Sequence, residues 1–245
     1  MQDVEELRAG TRRQAKQNLD MFLQEHGWRT HLFETTSRLT QPGDLLDEFF
    51  FCLLGGYGIT YEINALAYET LRSNGLLEKD IVLAPNYVAE VSQQLKQLPL
   101  REEEGIRYVS YRFPNNKAKT LAAAGKWLEE VAGWDLLFIY QTTPTESRDI
   151  LTSCPGFGLK TASWLLRNIG HGEGLAILDV HIIRIAREWS WIPDGLTPQR
   201  DYLEIERRLQ DTCTACNANI GSVDLALWHF SRGDFIDDSG QNRLF

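Results

Sequence analysis

The chain is expected to fold as an all-α protein of two helical lobes with a cleft between them. Three observations predict this. Apolar residues recur at i, i+3 and i+4 along most of the 245 residues, the spacing that lines one face of a helix. Clusters of glycine, proline and asparagine interrupt that pattern again and again. Strand candidates are few and short, Arg107–Tyr111 among them.

Taken in order, the periodic segments fall at about 4–26, then at about 44–54 after Pro42-Gly43. Segments at about 60–74 and 86–97 follow the breaks at Gly55-Gly56 and Pro85-Asn86. The stretch at about 115–132 opens behind Pro114-Asn115-Asn116, and those at about 145–153 and 159–169 flank Pro155-Gly156. Gly170 to Gly174 and Pro193 to Gly195 then precede segments at about 179–189 and 199–211, and a last one covers about 221–232. No internal repeat or low-complexity linker divides the chain, so residues 1–245 read as one unit of two lobes.

Composition narrows the function. A net charge of −9, from 34 acidic and 25 basic residues, argues against a protein that coats nucleic acid non-specifically. A local basic face can still act within a Debye length. The start, Met1-Gln2-Asp3-Val4, has neither a basic nor an apolar leader region. No apolar run approaches the roughly 18 residues of a membrane span. A cytoplasmic location without a membrane partner is expected. Four cysteines fit a reducing compartment. Cys213 and Cys216 form a Cys-x-x-Cys, but no second close pair completes a four-ligand zinc site, so helix-end packing is their expected role.

The chemistry is concentrated in Cys154-Pro155-Gly156-Phe157-Gly158-Leu159-Lys160-Thr161-Ala162 and in Leu178-Asp179-Val180-His181. Pro-Gly-x-Gly-x-Lys is a tight turn feeding a helix. Gly156 and Gly158 permit positive φ and close approach of a backbone or a phosphate. The first N–H groups of the following helix lack intrahelical partners and can bind an anion. Singly, Lys160 is a surface lysine and Asp179 a helix N-cap. Together they read as a nucleophile and its carboxylate partner. The helix dipole and a dry pocket would both disfavour the Lys160 ammonium. Asp179 follows an apolar run, Leu175 to Leu178, that would bury the approach to it.

This pairing resembles the helix-hairpin-helix (HhH-GPD) DNA glycosylases, most closely the compact microbial type of the 8-oxoguanine branch, with the hairpin itself at about 145–170. Phe51-Cys52-Leu53-Leu54, Tyr111-Arg112-Phe113-Pro114-Asn115 with Lys117-Ala118, and Asp224-Leu225-x-Leu227-Trp228 extend the resemblance over about residues 44 to 232. It implies a DNA glycosylase with AP lyase activity that flips a modified base and cleaves its N-glycosidic bond through a lysine Schiff base. Lys160 would attack C1′ and Asp179 would assist. Gly156, Gly158, His181 and Arg184 would meet the DNA backbone. The implied partner is double-stranded DNA carrying a modified base, bound by a monomer. No cofactor is implied beyond a structural K⁺ or Na⁺ on the carbonyls of Thr152, Cys154 and Phe157.

The departures lie at recognition elements. The chain ends Gln241-Asn242-Arg243-Leu244-Phe245, whereas the compact branch ends in a lysine whose terminal carboxylate helps recognise 8-oxoguanine. Small polar residues usual after the early core helix are replaced by Gly55-Gly56-Tyr57-Gly58-Ile59-Thr60. Tyr57 is the candidate wedge, against packing on its own lobe. Asp224 and Trp228, spaced i, i+4, are the candidate base pocket, against a core role for the indole. The excised base would then be 8-oxoguanine or another modified base, including a bulky one of the kind found in phage DNA. Arg112, Lys117, Arg167, Arg184 and Arg187 are basic residues available to phosphate, and His171 reads as a solvated loop residue. Two other readings stay open: a non-catalytic helix-hairpin-helix clamp on phosphates, and an interaction protein that has lost catalysis. Neither needs Lys160 together with Asp179.

Overall fold

A computed structural model describes residues 17, 19–21, 38–56, 58–102, 105–172 and 174–232. Helices dominate the described residues, as the periodicity predicts. The expected helix at about 4–26 lies almost wholly outside them, as do Tyr57 and the last residues of the chain. No helix among the described residues is long and apolar enough to cross a membrane.

Two compact units divide the chain, one of residues Arg38–Ile169 and one whose described part is mainly residues 170–232. The first contains α1 (Pro42–Leu54), α2 (Tyr61–Ser73), α3 (Lys79–Val82), α4 (Tyr87–Lys96), α5 (Pro114–Trp127), α6 (Pro144–Thr152) and α7 (Leu159–Asn168). Proline at the first turn of α1, α5 and α6 pre-sets the helical φ where an N–H would be unpartnered anyway. A capping box closes the start of α6: Thr143 Oγ1 accepts from Glu146 N–H, while the Glu146 carboxylate accepts from Thr143 N–H.

The second unit contains α8 (Val180–Glu188), α9 (Pro198–Ala215) and α10 (Ile220–Arg232). Helix α9 runs past the expected end at 211, so Cys213 is a buried residue of its last turn and Cys216 is its C-cap. Asn217 follows in the left-handed region, and Ala218 N–H closes the helix end on the Cys213 carbonyl.

Three features differ from the sequence expectation. Leu98–Glu102 (β1) pairs antiparallel with Gly105–Val109 (β2), so the expected strand at Arg107–Tyr111 begins earlier and has a partner. Helix α3 is too short to show a period. A turn of 3-10 helix at Leu137–Gln141 follows Gly133, which sits at φ 59.

The core of the first unit is aromatic. Phe49 of α1 stacks on Phe157 of the hairpin at 4.8 Å and on Trp127 of α5 at 6.2 Å. Each such pair contributes about 0.5–1.5 kcal/mol beyond area burial. The Trp127 indole N–H donates to Ser153 Oγ at 2.8 Å, tying α5 to the end of α6. The hairpin is thus bolted to the core at the turn that precedes Lys160.

Candidate active site

Cys154-Pro155-Gly156-Phe157 is a β-turn in which Phe157 N–H donates to the Cys154 carbonyl at 3.0 Å. Proline and a positive-φ glycine at its centre are what a type II turn requires. Gly156 has φ +93, and a β-carbon there would lie 2.4 Å from Thr120 Cγ2 and 2.7 Å from Leu53 Cδ1. Gly158 behaves differently. It is the N-cap of α7 at φ −100, an ordinary extended value, so the expectation of positive φ fails at this glycine. A β-carbon on Gly158 would meet nothing within 4 Å. The space over it is open to an incoming group. Gly156→Ala should therefore cost about 2 kcal/mol or more, and Gly158→Ala less than about 0.5 kcal/mol. Chemical denaturation of the two variants checks this contrast.

Lys160 is the second residue of α7 and is exposed among the described residues, where the sequence led to the expectation of a dry pocket. Its positive charge is felt at Cys52 in the last turn of α1. Burial, and then the Glu48 carboxylate, push the Cys52 thiol well up, while the positive charges of Arg167 and Lys160 oppose them. Glu48 also accepts from Asn168 Nδ2 at 2.6 Å, fastening the end of α7 to α1. Arg148, which sequence reasoning passed over, is buried in the hairpin and donates to Ser163 Oγ at 3.2 Å.

One turn beyond Lys160, Trp164 lies edge-on to Phe51 at 5.8 Å, and Phe51 in turn meets Tyr61 and Tyr68. The indole covers Gly55, where a β-carbon would lie 2.5 Å from the ring. Sequence reasoning also missed Trp164. Its i, i+4 spacing from Lys160 was the available signal.

The loop after α1 is held from the other side by α5. Lys117 Nζ donates to the carbonyls of Leu53 at 2.6 Å and Gly55 at 2.9 Å, and the Tyr111 hydroxyl donates to that of Leu54. Three successive orphan carbonyls at a helix end are satisfied this way. Lys117 is thereby withdrawn from the phosphate-binding set, because its ammonium faces inward.

Burial lowers the Lys117 ammonium to about 8. Between that value and the ordinary lysine range near 10.5 the folded chain holds fewer protons than the unfolded chain. Stability from this group therefore rises with pH across that window. Wild-type stability relative to Lys117→Met should increase from pH 8 to pH 10 in urea titrations.

Arg112 remains exposed, resting over the Phe113 ring at 5.0 Å and against Gly58, whose φ is +71. Arg184 is exposed and faces Glu188 at 4.0 Å, while Arg187 donates to the Leu196 carbonyl.

Asp179 and its surroundings lie in the second unit. Asp179 is the N-cap of α8, and its Oδ1 accepts from His181 N–H at 2.8 Å and Ile182 N–H at 2.9 Å. The plain N-cap reading is thus correct as local structure. It leaves Oδ2 outside the cap, so a further role is compatible with it. His181 is half-buried, and its backbone shares that cap. His171 is buried, against the expectation of a solvated loop.

Asp224 is buried and turned inward, with its carboxylate accepting from Ile177 N–H. It is therefore committed to the backbone rather than presented to a base, whereas Trp228, one turn on, is half-buried. The two residues expected to share a pocket therefore differ in burial. The Thr152, Cys154 and Phe157 carbonyls all belong to the hairpin. That of Cys154 already accepts one N–H and keeps a second lone pair.

The family profile described as 8-oxoguanine DNA glycosylase matches residues 27–218. A Fusobacterium nucleatum protein named 8-oxoguanine DNA glycosylase/AP lyase is 35% identical over 140 residues, which are 54% of this chain and 64% of that protein. The chain therefore spans a little under two thirds of that relative. A Methanocaldococcus jannaschii protein of the same name is 28% identical over 167 residues, covering 63% of this chain and 78% of the relative. Among solved structures, the 8-oxoguanine DNA glycosylase of Thermotoga maritima superposes with a TM-score of 0.63 at 25% identity, covering 91% of this chain and 98% of the other. The Methanocaldococcus jannaschii enzyme in complex with a 15mer DNA containing 8-oxoguanine gives 0.60 at 25% identity, covering 79% and 83%.

Proposed function

The chain belongs to the 8-oxoguanine DNA glycosylase family, and from that premise we propose that it is a DNA glycosylase/AP lyase acting on double-stranded DNA that carries a modified base, with 8-oxoguanine the first candidate. The observation that carries this reading is Lys160 at the first turn of α7, behind a Pro-Gly turn with open space over Gly158. Asp179 supports it as a capped carboxylate with one oxygen outside the cap.

In the proposed reaction, the neutral Lys160 amine bonds to C1′ as the C1′–N bond to the base breaks, and the base departs with the electron pair. Opening of the sugar ring gives the Schiff base, and loss of a C2′ proton expels the 3′ phosphate. Asp179 stabilises positive charge developing on the sugar, or takes the proton that frees the amine. The first-turn N–H groups of α7, with Gly156 and Gly158, bind phosphate without reading sequence. Arg184 and His181 add contacts to the backbone, and Trp228 offers a stacking surface for the extruded base.

A K⁺ or Na⁺ ion fits the hairpin chemically. Its ligands would be the carbonyl oxygens of Thr152, Cys154 and Phe157, hard donors suited to such a cation. The ion would supply positive charge against a DNA phosphate.

Duplexes carrying a panel of modified bases, incubated with the protein and borohydride, test the function. A trapped adduct and release of one base support the reading and identify the substrate. DNA binding with no adduct and no base release on any duplex would leave a phosphate clamp.

A further inference from the structure

We propose that Tyr202, Glu206 and Asp224 are positioning residues for Asp179, an inference that rests on the catalytic reading of that aspartate. The segment Leu175–Leu178 is buried and belongs to no sheet among the described residues, so its amide groups need partners. Side chains of α9 and α10 supply them at three consecutive residues. Glu206 Oε1 accepts from Ala176 N–H at 2.9 Å, the Asp224 carboxylate accepts from Ile177 N–H, and the Tyr202 oxygen receives Leu178 N–H at 3.3 Å. The Tyr202 hydroxyl also donates to the Ala176 carbonyl at 2.7 Å. All three side chains are at least nine-tenths buried.

This arrangement costs more than a packed apolar strand would. Two carboxylates taken out of water are tolerated only with full hydrogen bonding, and here part of that bonding goes to one short stretch of backbone. The stretch leads directly into Asp179. Its N–H bonds the Ile177 carbonyl at 2.7 Å, and its Oδ1 meets the first turn of α8. Tyr202 and Glu206 stand one turn apart on α9, so a rigid helix face sets the spacing of two of the three holds. The three side chains fix residues 176–178, and those residues fix where the Asp179 carboxylate points.

A double-mutant cycle tests this on the full chain with a duplex containing 8-oxoguanine opposite cytosine. In single-turnover assays, Glu206→Gln combined with Asp224→Asn should slow base release about tenfold to a hundredfold, the scale of a small misplacement of a reacting group. Affinity for a duplex with a tetrahydrofuran abasic analogue should change by less than about threefold, because phosphate contacts are untouched. In an Asp179→Asn background the same pair should cost less than about threefold, because residues acting through one group are not additive. An equal loss in both backgrounds, or a natively folded pair with unchanged base release, overturns the proposal. If the pair does not fold, Tyr202→Phe removes a single oxygen and enters the same cycle with an expected loss of about threefold to tenfold. Wild-type base release by Asp179→Asn alone would instead overturn the catalytic reading of Asp179. Slow release by that variant with multiplicative losses would overturn only the positioning.

Discussion

Lys160→Gln should abolish the borohydride-trapped adduct on a preformed abasic duplex while leaving DNA affinity within about threefold of wild type, because in the proposed reaction the amine forms the covalent bond and the hairpin backbone makes the phosphate contacts. Glutamine keeps a polar side chain of nearly the same reach but offers no nucleophile. Stability should hardly move. Lys160 is exposed, and exposed substitutions away from special features usually fall within about 0.5 kcal/mol. Trapping gels, a binding titration and a melting curve on one preparation check all three statements. An adduct that survives the substitution would assign the Schiff base to another amine. Loss of folding would instead show that Lys160 has a structural task its exposure does not suggest.

The second large effect is expected at Asp179, where cap and chemistry can be separated. Asparagine caps helices about as well as aspartate, so Asp179→Asn should retain the bonds to His181 and Ile182 N–H and cost little stability. Base release should nonetheless fall about 10²–10³-fold, the range seen when one preorganised electrostatic group is removed from an active site. Asp179→Ala should show the same loss of rate and in addition lose about 1 kcal/mol of stability, from the missing cap. Single-turnover base release and urea unfolding distinguish the outcomes. Equal rates for Asp179→Asn and wild type would reduce Asp179 to an N-cap.

The catalytic candidates were readable because their chemistry is local. Pro155-Gly156 announces a turn through the φ preferences of two residues, and Lys160 follows at a distance that one turn of chain determines. The N-cap at Asp179 needs only the next two amides. Helix segments were readable for the same reason, since a 3.6-residue period is written along the chain. The β1–β2 pairing was not, because Leu98 meets a residue well outside its own strand, Val109, and neither strand alternates cleanly.

Roles that depend on where a side chain points through space divide differently. Asp224 and Trp228 share a helical face by spacing, yet one is buried on a backbone amide and the other is half-exposed. Lys117 looked like a phosphate ligand from its charge and turned out to cap α1. Glu206 carried a signal that went unread: it interrupts the buried stripe of Tyr202, Ile205, Leu209 and Cys213 on α9, and a charged residue in such a stripe is seldom there without a partner.

By itself, then, the sequence determined the helical class, the hairpin turn, the cap at Asp179 and the place of Lys160 at the start of the helix behind that turn, since each depends on neighbours a few bonds or one helical turn away. Only the tertiary structure decided that Gly158 stands in open space while Gly156 is packed, that Lys117 and Asp224 serve backbone groups, and that three distant side chains grip residues 176–178. The physical reason is that unpartnered buried amides and carbonyls must be satisfied by whichever groups the packing brings near, and packing joins residues far apart in the chain.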